Sequence, residues 1–470
     1  MTVPLDPADP AFARDPYPYY ARLRDRAPVA RIPLANGTHA WLVTGYEQTR
    51  AVLADPRFSN VPPKAAGRPK NDSPAQHARA CLARHMLNSD APDHTRLRRL
   101  TAAAFTPRRV DALRPRIEEL TTGLLRDLAG RLEGGKHVDL VDSFAFPLPV
   151  LVIGEVLGVP EADRADLRDW TYRVGSPAGA LEPGAVDEAW TCLYSYFTEL
   201  IAQKRRAPGS DLFSALTQDA TQGGLDDGEL LAMAFLLLFA GYETTMNLLA
   251  SASLLLLTHP EELASAHRDP ARWPAVVDET LRHASPLEGT TWRHTTQDVD
   301  LGDGVVIPAG ASVLAVLAAA NRDPLHFPEP DAFRPGRYLA GALSGASAGA
   351  SASASADASA SASADASAGA SASTSAGASV GSGAPASASA AGPRTAPHTA
   401  FGHGPHFCVG SRLARLEATI ALPRLFASFP GLRLTADPAE LPYRPGLLVR
   451  GPRRVPVTTG DRAGRPLGLS

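Results

Sequence analysis

Cysteine is scarce in this chain: three residues in 470, at Cys81, Cys192 and Cys408. Three thiols cannot form a disulfide scaffold. Lysine is nearly as scarce, four of 46 basic residues, and arginine carries nearly all the positive charge. Nor is there an excess of charge of either sign, with 46 Lys+Arg against 49 Asp+Glu. An extended nucleic-acid surface needs a basic surplus to neutralise phosphates, so that class of partner is not expected. The N-terminus, Met1-Thr2-Val3-Pro4-Leu5-Asp6, lacks the basic stretch, apolar run and small-residue cleavage site of a secretory leader. The long Leu- and Ala-rich segment Leu230 to Leu257 carries Glu243, Thr244, Thr245 and Asn247 at its middle. An ionisable group is expensive there in lipid, so the segment reads as a buried helix of a cytoplasmic protein that does not enter a membrane.

What is abundant is uneven. Residues 340–392 are almost entirely Ala, Ser and Gly, with Asp357 and Asp365 as the only charges. Ala-Ser alternation has no apolar face to bury, and the block is expected to be disordered. The other 417 residues hold everything that can build a core. Apolar positions three and four apart predict helices over Pro16 to Ala27, Asp93 to Ala104, Arg109 to Glu133, Asp187 to Lys204, Asp226 to Leu257, Trp273 to Ala284 and Gly410 to Phe429. Strand patterns are short: His39 to Thr44, Val299 to Leu301, Val305 to Ile307 and Ser312 to Leu317. A mainly α chain with small β-sheets follows, without repeats and without a linker that divides it.

The richest stretch is Phe401-Gly402-His403-Gly404-Pro405-His406-Phe407-Cys408-Val409-Gly410. Gly402 and Gly404 permit positive φ, and with it a tight hairpin. A helix starting near Gly410 would aim its free amides at Cys408 and favour a thiolate. A thiolate in a dry pocket suits haem iron as proximal ligand. Taken alone, a single cysteine is more simply a buried core thiol; Cys81 and Cys192, without such surroundings, are read that way. His77, Cys81 and His85 fall four apart on one helix face like a metal site, but no fourth ligand lies near.

A second motif, Ala240-Gly241-Tyr242-Glu243-Thr244-Thr245, interrupts the Leu-rich pattern. Ala240 and Gly241 lie within one turn of Thr244, and small residues on that face leave room for a flat cofactor. A mid-helix Thr can bond back to the preceding turn and bend the helix. Alternatively, Thr244 merely satisfies a carbonyl and Glu243 pairs with an arginine elsewhere.

Phe-x-x-Gly-x-x-x-Cys-x-Gly, met by Phe401, Gly404, Cys408 and Gly410, resembles the haem-binding signature of the cytochrome P450 family. Ala-Gly-x-Glu-Thr is similar to that family's oxygen-activation motif. The likeness runs from about Asp9 to Pro456, and it implies a single cytochrome P450 domain over residues 1–470 with 340–392 as an insertion. It implies haem b with Cys408 as axial ligand to the iron, and Phe401, Gly402, Gly410, Ala240 and Gly241 as further cofactor contacts. His94, Arg98, Arg293 and His406 match positions that pair with the haem propionates. Thr244 would hydrogen-bond to dioxygen during its activation, and Glu243 would relay protons through water, as general-acid delivery. Glu279, Arg282 and Arg337 resemble the family's structural triad.

Thr291-Trp292-Arg293 and Ala318-Ala319-Ala320-Asn321-Arg322-Asp323-Pro324 resemble the actinobacterial branch that oxidises polyketides and macrolides, as does the bias to Arg and Ala. The implied reaction is hydroxylation or epoxidation of a hydrophobic secondary metabolite by a monomeric enzyme. Electrons would come from NAD(P)H through a ferredoxin reductase and a ferredoxin, for which Arg99, Arg108, Arg109, Arg412 and Arg415 are a candidate docking patch. Substrate contacts are expected from Val61 to Leu87, Val174 to Ala189, Ala240, Leu287 to Thr291, and the turn near Gly446-Leu447. The same haem loop would serve oxidative coupling of aromatic substrates, and a catalytically silent family member would be a partner-stabilising protein.

Overall fold

The computed structural model describes residues 5–7, 9–34, 37–61, 73–103, 105–174, 181–209, 211–219, 224–302, 304–339 and 396–460. The Ala/Ser block therefore lies outside the described residues.

The chain folds as a helical body with a small sheet region beside it. Its axis is the helix Asp227–Thr258. Asp226 and Glu229 form a reciprocal capping box at its start. Its side chains are apolar nearly all round, as a helix enclosed by others requires. The helix is long and apolar enough to cross a membrane, yet 72% of its most apolar window is buried inside the protein. Around it pack Pro147–Leu157, Ala185–Arg206, Trp273–His283 and Ser411–Ser428. Burying each Leu of such a helix contributes about 1.5–3 kcal/mol before entropy is counted.

The largest sheet has five strands in the order Val29–Pro33, His39–Val43, Ser312–Ala315, Arg293–Thr295, Phe58–Ser59. His39–Val43 and Ser312–Ala315 run parallel, with Trp41 opposite Val313; the other pairings are antiparallel. This sheet places Arg293 opposite Val313 and brings Phe58 beside Thr295.

The seven predicted helices are present to within a few residues, with one division. The span from Arg109 to Glu133 forms two helices, Pro107–Ala112 and Arg114–Leu132. Pro115 lacks an N–H, and its ring disfavours continuation through the preceding turn, so the axis breaks at Leu113. Helices absent from the periodic reading include Tyr46–Ala54, which is short, and Pro147–Leu157, which is buried on nearly every side and shows no polar face. The latter stops at Gly158, whose φ of 62° is the left-handed cap.

Glu279, Arg282 and Arg337 are gathered away from the large cavity described below. Arg282 donates from Nε and Nη2 to the two Glu279 carboxylate oxygens, both at 2.8 Å, and both side chains are fully buried. Its remaining donors reach the carbonyls of Asn321 (3.0 Å), Pro330 (2.8 Å) and Ala332 (3.0 Å). Arg337 Nε adds a contact to Glu279 at 3.0 Å, and the Arg334 amide another at 2.7 Å.

Candidate active site

The two motifs, 160 residues apart in sequence, face one another across one cavity. The Cys408 loop is a tight hairpin: the Cys408 amide donates to the Phe401 carbonyl at 2.9 Å and the Phe407 amide to that of Gly404 at 3.0 Å. Gly402 and Gly404 hold φ of 74° and 69°. At Gly404 a Cβ would lie 2.7 Å from the Leu53 carbonyl oxygen, so glycine is required by contact as well as by φ. Gly404→Ala is expected to destabilise the protein by about 1–3 kcal/mol, read as a lower thermal midpoint; an unchanged midpoint would show that the loop adapts.

The loop is tied down on several sides. Asn321 Oδ1 accepts from the Thr399 amide (2.6 Å) and hydroxyl (2.9 Å), and Tyr46 donates to the Pro397 carbonyl at 2.7 Å. Arg415 lies 4.5 Å over the Phe401 ring and donates to Asp278 at 2.8 Å, and His398 meets the same carboxylate at 3.3 Å. The sequence reading noted Asn321 only as a branch marker and missed Asp278 and His398, which no local pattern distinguishes.

The thiol itself is governed by competing effects. Burial pushes the Cys408 pKa up, against the Gly410 and Ser411 amides and the guanidinium groups of Arg98 and Arg415. The amides at the helix start act in the expected direction, favouring the thiolate. A bound metal deprotonates a coordinating thiol outright.

On the opposite wall the helix Asp227–Thr258 stays helical through Ala240–Thr245. Thr244 Oγ1 donates to the Ala240 carbonyl at 2.9 Å. Ala240 is exposed although it sits mid-helix in the core, because it faces the cavity. Gly241 lines the cavity and also serves packing: a Cβ there would lie 2.8 Å from Ile153 Cδ1, so its bareness lets Pro147–Leu157 pack closely. Glu243 is 3% exposed and pairs with Arg444 at 2.5 Å. Burial pushes its carboxyl up, and the guanidinium opposes that rise.

At the cavity rim stand His94, Arg98, Arg293 and His406. The two imidazoles are 4.0 Å apart. Burial, reinforced by His94 and Arg293, pushes His406 down to about 3, and burial lowers Arg293 to about 10. His94 Nε2 and Arg293 Nε are buried without a partner among the described residues. Buried donors that repel one another's charge and leave hydrogen bonds unmade call for an anion, and a pair of carboxylates answers both needs. A flat, dianionic haem, with its propionates at this rim and Cys408 Sγ at its iron, fits this donor set.

All twelve residues predicted to act in chemistry or hold the cofactor line the cavity: His94, Arg98, Ala240, Gly241, Glu243, Thr244, Arg293, Phe401, Gly402, His406, Cys408 and Gly410. Of the substrate stretches, Met86, Leu87, Ala240, Leu287, Thr290 and Thr291 line it, and at the turn near Gly446-Leu447 the lining residues are Leu448 and Val449. The described part of Val174 to Ala189 contributes nothing to the lining, while 62–72 and 175–180 lie outside the described residues. His77 and Cys81 are 3.5 Å apart, and no metal-binding cluster of His, Cys, Asp and Glu occurs among the described residues.

Comparison with known proteins agrees with this geometry. The cytochrome P450 family model matches residues 273–350. Cytochrome P450 107B1 of Saccharopolyspora erythraea is 42% identical over 96% of this chain and 97% of its own length. This chain belongs to the cytochrome P450 family. Its relatives include the P450 monooxygenase PikC of Streptomyces venezuelae, 40% identical over 97% of this chain and 94% of that protein. The solved structure of the tirandamycin C-bound P450 monooxygenase TamI superposes with a TM-score of 0.75 at 35% identity, over 96% of this chain and 99% of the other. The fold is thus the P450 fold and the chain an oxidoreductase of the monooxygenase type, a family whose members carry haem on a cysteine thiolate. Its family setting is the oxidation of secondary metabolites.

Proposed function

We propose that this P450 inserts one oxygen atom into a C–H or C=C bond of a bulky, hydrophobic secondary metabolite of the polyketide or macrolide kind. The observation that carries this reading is the meeting of Cys408 and the Glu243–Thr244 pair across one cavity whose remaining wall is apolar, with Met86, Leu87, Leu236, Phe239, Leu287 and Leu448 among its residues. Haem b, when bound on Cys408, supplies the redox chemistry that consumes dioxygen, two electrons and two protons and releases one water with the oxygenated product.

The protein's own groups bind, orient and supply protons. His94, Arg98, Arg293 and His406 neutralise the propionates and fix the plane of the cofactor. Thr244, anchored at 2.9 Å to the Ala240 carbonyl, presents its oxygen to the cavity as a fixed hydrogen-bonding group. Glu243, with a carboxyl raised towards neutrality by burial, is suited to take a proton from solvent and pass it inward. Leu- and Phe-lined walls exclude bulk water, which keeps those protons on the intended route.

Electrons are proposed to arrive from a ferredoxin on the Cys408 side. Arg99, Arg108 and Arg109 are exposed there. Arg412 and Arg415, placed in the same patch by sequence, are engaged with Asp111 at 2.6 Å and Asp278 at 2.8 Å. The enzyme is proposed to act as a cytoplasmic monomer, residues 1–470 forming one catalytic domain into which 340–392 are inserted.

Thr244→Ala tests this reading. With any substrate identified by its spectral shift in a screen of secondary metabolites, the variant is expected to divert most electrons to peroxide and water, lowering product per electron pair severalfold through loss of ordered proton delivery. Unchanged coupling would refute the role given to Thr244.

A further inference from the structure

The partner of Glu243 comes from the far end of the chain, and its placement is built. Residues 443–452 form a hairpin closed by a bridge between Tyr443 and Pro452 and by the Arg444 amide on the Gly451 carbonyl at 3.4 Å. The base of this hairpin is seated on the helix Asp227–Thr258. Arg444 reaches Glu243, and Gly451 packs so closely on Asn247, one turn further, that a Cβ would lie 2.0 Å from Asn247 Oδ1. The hairpin's other arm enters the cavity: Leu448 and Val449 line it, Val449 bridges to Leu287, and the Leu448 carbonyl accepts from the Glu288 amide at 2.9 Å.

We infer that Arg444 is a positioning residue for proton delivery, holding Glu243 at the cavity wall from a hairpin that also forms part of the substrate wall. The inference rests on the monooxygenase reading. Arg444 Nη1 donates to Glu243 Oε1, a charge-assisted hydrogen bond that fixes that oxygen and sets a positive charge beside the carboxyl. The other charged and titratable groups nearby have different engagements. Glu155 of Pro147–Leu157 pairs with Arg116 and Arg164, both at 2.8 Å. Arg450 of the hairpin donates to the carbonyls of Ala13 and Arg14 and faces Glu288 at 3.7 Å. Tyr242 donates to the Thr171 carbonyl at 3.2 Å. Glu417 of Ser411–Ser428 lines the cavity with one oxygen buried and unpartnered among the described residues. The charge acting on Glu243 is that of Arg444.

Difference infrared spectroscopy of the haem-loaded full chain, titrated with acid and base, reads Glu243 directly as the protonated carboxyl band that Glu243→Gln removes. The midpoint of that band is expected to rise by about 1–3 pH units in Arg444→Gln, the effect of losing one close opposite charge, with Arg444→Lys between the two. A merely structural role would lower haem content or yield without moving the midpoint, and an unmoved midpoint in Arg444→Gln overturns the inference. Should Arg444→Gln fail to retain haem, Arg444→Lys decides: an upward shift supports the inference and no shift overturns it. The carbon monoxide spectrum of each sample separates the two readings, since loss of the thiolate signature in the wild type would refute the haem assignment and a retained signature with an unmoved midpoint would refute only the role of Arg444.

Discussion

Arg282→Met is expected to abolish the recovery of haem-loaded protein. The guanidinium spends all its donors inside the fold, two on Glu279 and three on the carbonyls of Asn321, Pro330 and Ala332. Methionine fills part of the volume and makes none of these bonds. Glu279 would then keep a fully buried carboxylate with only Arg337 and the Arg334 amide against it. Removing one member of a buried pair costs about 3–5 kcal/mol, against a total stability of about 5–15 kcal/mol. Asn321 would also lose a contact that orders the segment from which its Oδ1 grips Thr399, nine residues before Cys408. The measurement is haem absorbance per mass of soluble protein, with urea midpoints where protein is recovered. Asp111→Asn, which opens the exposed pair with Arg412, serves as the control and should leave both unchanged. Wild-type yield and midpoint in Arg282→Met would show that the buried pair does not hold the fold.

Cys408→Ala carries the largest expected effect on chemistry. Cys408 is the one cysteine among the described residues that lines the cavity, and the other sulfur there, the Met86 thioether, cannot supply a thiolate. The loop itself should survive, because its hydrogen bonds run through backbone atoms of Phe401, Gly404, Phe407 and Cys408, and through Thr399 and Asn321. The variant is therefore expected to fold and to retain the propionate rim while losing all oxygenation of any substrate. Folding with retained oxygenation would remove Cys408 from the mechanism.

Where chemistry depends on residues close in sequence, the sequence was readable. The Cys408 loop has its cysteine, its two turn glycines and its helix start within ten residues, and the structure gathers them as the pattern implies. Ala240–Thr245 is similar, and Gly241, which lines the cavity, also serves helix packing against Ile153. Long-range partners were not readable. Arg444 lies 201 residues from Glu243, and its charge looks like any other arginine near the C-terminus until the hairpin folds back. Asp278, which steadies both Arg415 and His398, was hidden in the same way. The break at Leu113 was locally encoded by Pro115, but a strong apolar period on both sides masked it.

The most direct test of the account is the carbon monoxide difference spectrum of the reduced, haem-loaded wild-type protein beside Cys408→Ala. The red-shifted Soret band of a thiolate-ligated haem is predicted for the wild type, and its absence for the variant. An unshifted band in the wild type, or a shifted one that persists in Cys408→Ala, would contradict the assignment of Cys408 as the axial ligand.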